Sequence, residues 1–154
     1  RYYRHRVLRG YVHDMGAAML GGVSGHAGLF STAHDLAVLG DLWLNGGYYG
    51  GRRYLDYQTI SLFTRRPLRS SRRGVGFDMK QLKPDESLNM AEEASEGTFG
   101  HLGFTGTCIW VDPREQLVYV FLSNRTYPTM RNNELSEGDY RPKIQSAVYQ
   151  SIKD

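Results

Sequence analysis

The chain contains one cysteine among its 154 residues, and no apolar run approaches the roughly 18 residues that a membrane-spanning helix needs. A single cysteine cannot form an internal disulfide, so it leaves the redox compartment open. The five histidines nowhere show the His-x-x-x-His spacing of a helical zinc site. These absences disfavour a transmembrane protein, a disulfide framework and a metal-dependent hydrolase, and we expect neither a metal nor another cofactor.

Charge of either sign is moderate, with 19 Lys and Arg against 16 Asp and Glu and a formal net charge of +3. The basic residues gather in two segments: Arg1, Arg4, Arg6 and Arg9, then Arg65, Arg66, Arg69, Arg72 and Arg73. Tyr2 and Tyr3 adjoin the first segment, but no recognition helix or stacking series accompanies either one. We expect two solvated loops and no nucleic-acid partner. The alternative is attraction of an anionic substrate or cell-wall polymer.

Hydrophobic periodicity predicts helices in the first half of the chain, after an irregular segment over residues 1–30. Thr32 and Asp35 have capping-box spacing, and Leu39 and Trp43 share a face of the helix that follows. The further predictions are an end to this helix at Asn45-Gly46-Gly47, a hairpin over 48–54, and a helix that begins at Asp56, carries Ile60 and Phe63 and ends before Pro67.

The second half has the pattern of strands followed by a helix. Predicted strands cover 75–79, the segment around His101, and the apolar run 117–122, which should be covered on both faces. Asp139 can cap a last helix, with Ile144, Val148 and Ile152 as its buried stripe. The fold class is therefore α+β, an antiparallel sheet flanked by helices, and Cys108 should be a small buried residue of one strand.

The segment from Gly100 to Thr107 places a histidine among glycines within a predicted strand. Glycine weakens a strand, so Gly100, Gly103 and Gly106 need a reason, and one reason is close approach of another molecule to the backbone. His101 is titratable at physiological pH and can donate or accept a hydrogen bond. This combination predicts the edge of an active site, whereas a histidine on an exposed strand face is the plainer alternative.

This block, with the upstream segment Gly25 to Ala37, resembles the C-terminal part of the serine β-lactamase-like hydrolases. That superfamily includes class C β-lactamases, D-alanyl-D-alanine peptidases and esterases. Its third motif, Lys-Thr-Gly or a His-x-Gly variant on an edge strand, matches His101-Leu102-Gly103. The resemblance covers the chain from about Gly10 to its end. It implies a β-lactamase/transpeptidase-like fold in which residues 1–154 are the C-terminal portion of a single domain.

The resemblance also implies roles for individual residues. His101 would lie beside the nucleophile, Gly103 would leave room for the substrate, and the Phe104 backbone N–H would be one oxyanion-hole donor. The expected substrate-contacting residues are Leu102, Thr105, Ser24 and His26. Leu102 replaces the usual threonine and removes a hydroxyl that could bind a substrate carboxylate, which disfavours β-lactams as natural substrates.

The family's other two motifs are not found in this sequence. No serine has lysine three residues later, and no tyrosine has asparagine two residues later; Ser87-Leu88-Asn89 fits the second motif by chance in a polar loop. Gly22-Val23-Ser24-Gly25-His26 nearly matches the nucleophile elbow Gly-x-Ser-x-Gly, but histidine stands at the final glycine and no strand precedes it. The nucleophile is therefore expected upstream, outside these residues.

Two classes of function follow. The first is the C-terminal part of a serine hydrolase that cleaves an amide or ester through an acyl-enzyme, with this fragment alone inactive. The second is a non-catalytic module with the same fold that binds peptidoglycan or a protein partner. The expected partners are a small or peptide-like acyl substrate and the missing N-terminal half or a complementary chain. The family implies a periplasmic or cell-envelope location.

Overall fold

The described residues are 4–69, 71–83 and 88–152 of a computed structural model. The chain divides into two compact units, Arg1–Thr32 and Ala33–Asp154. Three sequence features lie outside the described residues: Arg1 of the first basic segment, the adjoining Tyr2 and Tyr3, and Ser87 of the chance second-motif match.

The first unit contains a short helix, α1 (Met15–Met19), that the sequence analysis did not predict. Asp14 caps this helix, because its carboxylate accepts a hydrogen bond from the Ala17 backbone N–H at 2.7 Å. Arg4 donates to the carbonyl oxygens of Val12 and His13 at 2.9 and 3.0 Å. Arg4 is half-buried, so the prediction of a purely solvated first basic segment is wrong at this residue.

The second unit is built on an antiparallel sheet with strand order β3-β4-β5-β6 among the described residues. Its strands are β3 (Asp78–Met79), β4 (Phe99–Leu102), β5 (Cys108–Asp112) and β6 (Leu117–Phe121). The helices are α2 (Ala33–Leu44), α3 (Tyr57–Thr64), α4 (Glu134–Glu137) and α5 (Tyr140–Ser151), and a small hairpin joins β1 (Tyr48–Tyr49) to β2 (Arg52–Arg53). This is the predicted α+β architecture.

Alternation along β5 divides the core between the two faces of the sheet. Trp110 packs in a cluster with Tyr149 of α5, whereas its neighbour Val111 packs in a second cluster with Phe99. On that second side α2 packs against β5 and β6. Gly40 permits the approach, because a Cβ there would lie 2.5 Å from a methyl carbon of Val118.

Asp112 links three parts of the second unit at the end of β5. Its carboxylate is 1% exposed and accepts hydrogen bonds from the Ser95 hydroxyl at 2.6 Å, the Ser95 N–H at 2.9 Å and the Tyr149 hydroxyl at 2.7 Å. Burial by itself raises the pKa of Asp112, but these hydrogen bonds outweigh burial and hold the pKa below its ordinary value. The network therefore stabilises the ionised carboxylate and joins α5 to the sheet.

Several predicted details are wrong, and packing explains each. Ile144 and Ile152 are exposed, because α5 turns Gln145 and Tyr149 toward the core instead. The Gln145 side-chain oxygen accepts a hydrogen bond from Ala91 N–H, so a polar residue takes a position that the pattern gave to apolar ones. Strand β6 has packing partners on both faces, with Tyr119 in the Trp110 cluster and Val118 against the Phe99 cluster, but only Tyr119 is fully buried.

The caps and the second helix also differ from expectation. Asp56 and Asp139 occupy the N-cap positions of α3 and α5, yet neither side chain makes a capping hydrogen bond. Ile60 is buried as predicted, whereas Phe63 is exposed. Helix α4 was not predicted, because four residues are too few to show a helical repeat.

Replacing Asp112 with asparagine should lower the free energy of unfolding by about 2–4 kcal/mol at pH 7, since hydrogen bonds to a charged acceptor are lost in a buried setting. The lowered pKa sets the sign of the pH effect. Stability from Asp112 is fully present above the unfolded-state value of about 3.9 and is lost as the pH falls through the folded-state pKa. Chemical denaturation at pH 7 and in acid measures both effects.

The matched control is Asp139→Asn, the same chemical change at an exposed N-cap without a side-chain capping bond. We expect it to change the free energy of unfolding by less than about 0.5 kcal/mol. Equal effects of the two substitutions would contradict the assignment of Asp112 as the link between β5 and α5.

Candidate functional site

The glycines around His101 are required by contacts within the chain. A Cβ at Gly100 would overlap the Ile109 carbonyl oxygen of the paired strand, and one at Gly103 would overlap the Thr107 hydroxyl. Gly106 has a φ of +111° and lies against the Ser123 hydroxyl. The chain's own packing accounts for all three glycines, so they need no close approach of another molecule to the backbone.

His101 lies on β4 one residue past the end of the β3 pairing. Asp78 of β3 pairs with Gly100, and His101 pairs only with Ile109 on its other side. The residues His101 and Leu102 therefore have an edge that no described strand occupies. The His101 side chain is exposed, and that of Leu102 is half-buried. This geometry leaves one edge of the motif accessible to an extended ligand.

The hydrogen bonds of His101 assign its tautomer. Nδ1 lies 2.7 Å from the Leu102 carbonyl oxygen, which can only accept, so Nδ1 carries the hydrogen. Nε2 lies 3.4 Å from an Nη1 of Arg73, which can only donate. Both partners are satisfied by a neutral imidazole whose Nε2 lone pair faces the guanidinium group.

Arg73 is in turn held by a buried carboxylate. Its Nη1 lies 2.6 Å from Asp78 Oδ1. This contact is an ion pair without hydrogen-bond geometry. Arg72 Nε lies 3.6 Å from the same oxygen. Arg66, from the same basic segment, donates to the Lys80 carbonyl oxygen at 2.7 Å. The second basic segment is therefore built into the fold at these arginines, and the prediction of a solvated loop is wrong there.

A tight turn follows the motif and carries the predicted backbone donor. The Gly103 N–H donates to the Thr107 carbonyl at 2.7 Å, and the Gly106 N–H donates to the Gly103 carbonyl at 3.0 Å. Phe104 is 62% exposed, and Thr105 is half-buried. The turn therefore presents Phe104 outward at the end of β4, and its backbone shape is set by bonds on either side.

Arg125 supports this turn, and the sequence analysis missed it. Its Nε donates to the Phe104 carbonyl at 2.8 Å, and its guanidinium carbon lies 4.4 Å from the centroid of the Phe104 ring. Nη1 donates to the Met130 and Asn132 carbonyls at 3.0 and 2.7 Å, and the Arg125 N–H donates to Thr105. The only signal in the sequence was its place just after an apolar strand.

The first unit contains a separate hydrogen-bonded group of Ser24, His26 and Asp14. The Ser24 hydroxyl lies 2.6 Å from His26 Nδ1, and His26 Nε2 lies 2.8 Å from Asp14 Oδ1. The Asp14 carboxylate accepts, so Nε2 carries the hydrogen and Nδ1 accepts from Ser24. The hydrogen bonds from Ala17 N–H and, next, from His26 hold the pKa of Asp14 below its ordinary value.

Ser24 does not lie in a nucleophile elbow. It pairs with Ala27 in an isolated bridge closed by the Ser24 N–H to Ala27 carbonyl bond at 2.9 Å, with no strand-turn-helix around it. His26 lies close to Gly16: a Cβ added at Gly16 would be 3.4 Å from His26 Nε2. From the sequence, Ser24 and His26 were each predicted to contact the substrate, and neither residue was connected to Asp14.

Other candidate chemistry is not supported by the described part of the chain. Burial raises the pKa of the Cys108 thiol to about 11, so it is protonated at neutral pH and a poor nucleophile. Among residues 4–69, 71–83 and 88–152, no three His, Cys, Asp or Glu side chains cluster to hold a metal. No helix in those ranges is long and apolar enough to cross a membrane.

An apolar pocket of about 230 Å³ lies in the second unit. It is lined by Trp43, Leu55, Thr59, Ile60, Phe63, Thr64 and Phe77. None of these side chains titrates, so the pocket offers shape and apolar surface but no acid, base or nucleophile.

Comparison with known proteins places this arrangement in context. Residues 2–139 match the Beta-lactamase family. A Salmonella gallinarum protein named "Putative D-alanyl-D-alanine carboxypeptidase" is 40% identical over 136 residues, and a Salmonella typhi protein of the same name is 40% identical over 134. In both cases the matched region covers 86% of this chain and 31% of the relative. The chain thus spans about a third of the length of these curated relatives.

A solved structure supports the same fold. The crystal structure of a β-lactamase from Mycobacterium bovis matches with a TM-score of 0.59 at 27% identity. The match covers 79% of this chain and 44% of that chain. The antiparallel sheet with flanking helices is thus part of a β-lactamase-like fold.

Replacing Arg125 with glutamine should loosen the turn after β4. We expect a loss of about 1–3 kcal/mol in the free energy of unfolding, because carbonyl oxygens and an aromatic face lose a charged partner. Hydrogen exchange at the Arg125 amide, which bonds to Thr105, should accelerate more than exchange in β5. Arg131→Gln, the same change at a nearby exposed arginine, is the control and should leave both quantities unchanged. Similar behaviour of the two variants would refute the supporting role of Arg125.

Proposed function

Because the chain belongs to the Beta-lactamase family, we propose that it forms the C-terminal part of a serine hydrolase that works through an acyl-enzyme. The observation that carries this proposal is the open edge of β4 at His101-Leu102-Gly103, the three residues that match the family's third motif. An extended acyl substrate can lie along such an edge and make backbone hydrogen bonds. The scissile bond would then lie beside the turn that follows Gly103.

In this proposal each residue near the edge has a distinct task. His101 supplies hydrogen bonding next to the nucleophile, Gly103 lets the chain turn closely against Thr107, and the Phe104 N–H is one oxyanion donor. Leu102 and Thr105 contact the substrate. Ser24 and His26 are assigned as substrate contacts and not as the nucleophile. Arg125 supports these roles by donating a hydrogen bond to the Phe104 carbonyl.

The nucleophile would be supplied by a part of the protein outside this sequence. No Ser-x-x-Lys occurs in the 154 residues, and the curated relatives are about three times as long as the matched region. The whole protein would form the acyl-enzyme on that serine, and this chain alone would be inactive. The name of these relatives favours a peptide-like substrate ending in D-alanine, and the family implies a periplasmic or cell-envelope location.

A second function is equally consistent with the absence of Ser-x-x-Lys from these residues. A relative that has lost the nucleophile would keep the fold as a non-catalytic module and bind peptidoglycan or a protein partner. The two functions differ in the upstream sequence, because only a hydrolase needs Ser-x-x-Lys there. Reading that sequence decides between them.

The chain alone should not react with a serine-directed probe. We expect no mass increase after incubation with a fluorophosphonate or a labelled β-lactam, because no serine here has the activating lysine of the family. Intact mass spectrometry is the measurement, and the whole protein is the positive control. Stoichiometric labelling of the chain would contradict the proposal, and labelling at Ser24 would identify the Ser24, His26 and Asp14 group as a nucleophilic site.

Replacing His101 with alanine in the whole protein should slow acylation on the order of a hundredfold, which corresponds to about 2.7 kcal/mol of transition-state stabilisation. The exposed position of His101 implies little change in melting temperature. Single-turnover acylation measures the rate. Leu102→Thr restores a hydroxyl and should favour substrates that carry a carboxylate. If the alanine variant acylates at the wild-type rate with unchanged stability, the third-motif assignment is wrong.

A further inference from the structure

The backbone donor proposed for the oxyanion, the Phe104 N–H, shares a peptide group with the Gly103 carbonyl. A peptide group is planar and trans, so its N–H and its C=O point in opposite directions. The direction of the Phe104 N–H is therefore set by whatever holds the Gly103 carbonyl oxygen. Glycine restricts its own backbone less than any other residue, so at this position the restriction has to come from neighbouring groups.

The Gly103 carbonyl oxygen is held both from within the turn and from α5. The Gly106 N–H donates to it at 3.0 Å, and Nη1 of Arg141 donates to it at 3.5 Å. The same Nη1 donates at 3.2 Å to the Thr107 carbonyl oxygen, which also accepts from the Gly103 N–H at 2.7 Å. A terminal guanidinium nitrogen carries two hydrogens and can donate to both oxygens. Arg141 thus bridges the two carbonyls that close the turn.

The backbone of Arg141 is itself fixed to the sheet. Arg141 lies in the first turn of α5 and is half-buried. Its carbonyl oxygen accepts a hydrogen bond from the Tyr119 hydroxyl of β6 at 3.3 Å. Further along the same helix, the Tyr149 hydroxyl donates to Asp112 of β5 at 2.7 Å. The guanidinium group therefore reaches the turn from a helix that is joined to two strands.

Arg141 and Arg125 act on successive peptide groups of the turn. Arg125 donates to the Phe104 carbonyl oxygen at 2.8 Å, and that carbonyl shares its peptide group with the Thr105 N–H. Arg141 acts one peptide group earlier, on the group that contains the Phe104 N–H. The two arginines come from different parts of the chain, one in the segment after β6 and one in α5. Their effects on the Phe104 N–H are therefore separable by substitution.

We propose that Arg141 is a positioning residue that orients the Phe104 N–H toward the oxyanion by holding the Gly103 carbonyl. This inference rests on the proposed function, because it names the residue that prepares one oxyanion donor of the same site. Arg141 acts through the backbone and not on the substrate. An oxyanion forms in the transition state and not in the bound substrate, so loss of Arg141 should slow the reaction without weakening substrate binding.

The first measurement is the rate at which the whole protein reacts with a fluorophosphonate. The serine oxygen attacks phosphorus, fluoride leaves, and the phosphoryl oxygen takes the place of the oxyanion. Arg141→Met keeps an apolar stem and removes the hydrogen-bond donors. We expect the maximal rate constant to fall about tenfold, less than the loss of an oxyanion donor costs, with the half-saturating probe concentration unchanged. Arg141→Lys keeps a cation with three donors and should recover part of the rate.

The second measurement is the direction of the Phe104 N–H, taken from its residual dipolar coupling in the whole protein. In the wild type the coupling should fit one fixed direction, and in the Arg141→Met protein motion should average it toward a smaller value. The coupling at Val111 of β5 should stay unchanged and reports an intact sheet. Arg131→Met makes the same substitution at an exposed arginine and should alter neither the rate nor the Phe104 coupling.

The two measurements together keep this inference distinct from the proposed function. A wild-type rate in the Arg141→Met protein overturns the proposal, and so does a slower reaction with an unchanged Phe104 coupling. If the methionine variant does not fold, the same criteria apply to Arg141→Lys, which should react about threefold more slowly than the wild type. A protein that never reacts, but whose Phe104 coupling depends on Arg141, supports Arg141 as the residue that orients this peptide group and overturns the acyl-enzyme.

Discussion

The close pairing of β4 with β5 at Gly100 is the constraint on which the candidate site depends. Any side chain at residue 100 would overlap the Ile109 carbonyl oxygen and press on the Trp110 ring. Trp110 is itself buried, so β5 cannot move away to make room. The position of His101, one residue further along β4, is therefore set by the core and not by a flexible loop.

The turn after β4 and the Arg125 side chain that supports it are also fixed by contacts within the chain. The hydrogen bonds of Gly103 within the turn fix the chain direction after His101. Arg125, in the segment after β6, fixes the Phe104 carbonyl. Each step transfers the rigidity of the sheet to a residue proposed to act on a substrate. An oxyanion donor is effective only when it is oriented before the reaction, and this chain of contacts is a physical means of doing so.

Two histidines of the chain are held in opposite tautomers, and this difference separates what they can do. His26 donates from Nε2 to a carboxylate and offers Nδ1 to a serine hydroxyl, so its acceptor nitrogen faces a group that can donate a hydrogen bond. His101 donates from Nδ1 to a carbonyl and offers Nε2 to a guanidinium group, so its acceptor nitrogen faces a cation and not a hydroxyl. Each tautomer follows from a partner group that can only accept or only donate a hydrogen bond.

Sequence reasoning predicted the elements that have a clear local signal. The helix before Asn45, the glycine hairpin, the strand with His101 and the last helix are all present, because periodicity and turn residues are local properties. It failed where a tertiary contact decided the outcome. Gln145 is buried through a bond to Ala91, 54 positions away, and no apolar repeat can indicate such a bond. Asp14 was overlooked for the same reason, since it contacts His26 from 12 positions away.

The basic segment 65–73 shows how one composition can contain different physical roles. Charge clustering alone predicted a solvated loop, because most lysines and arginines lie on solvated surfaces. The fold instead uses Arg66 to satisfy backbone carbonyls and uses buried Asp78 to hold Arg72 and Arg73. A buried carboxylate requires a cation near it, so Asp78 is the residue that indicates which arginines are not free to move. In a sequence alone, the useful signal is therefore an acidic residue in a predicted strand. Arginines that strand pairing brings next to this residue are expected to be held by it.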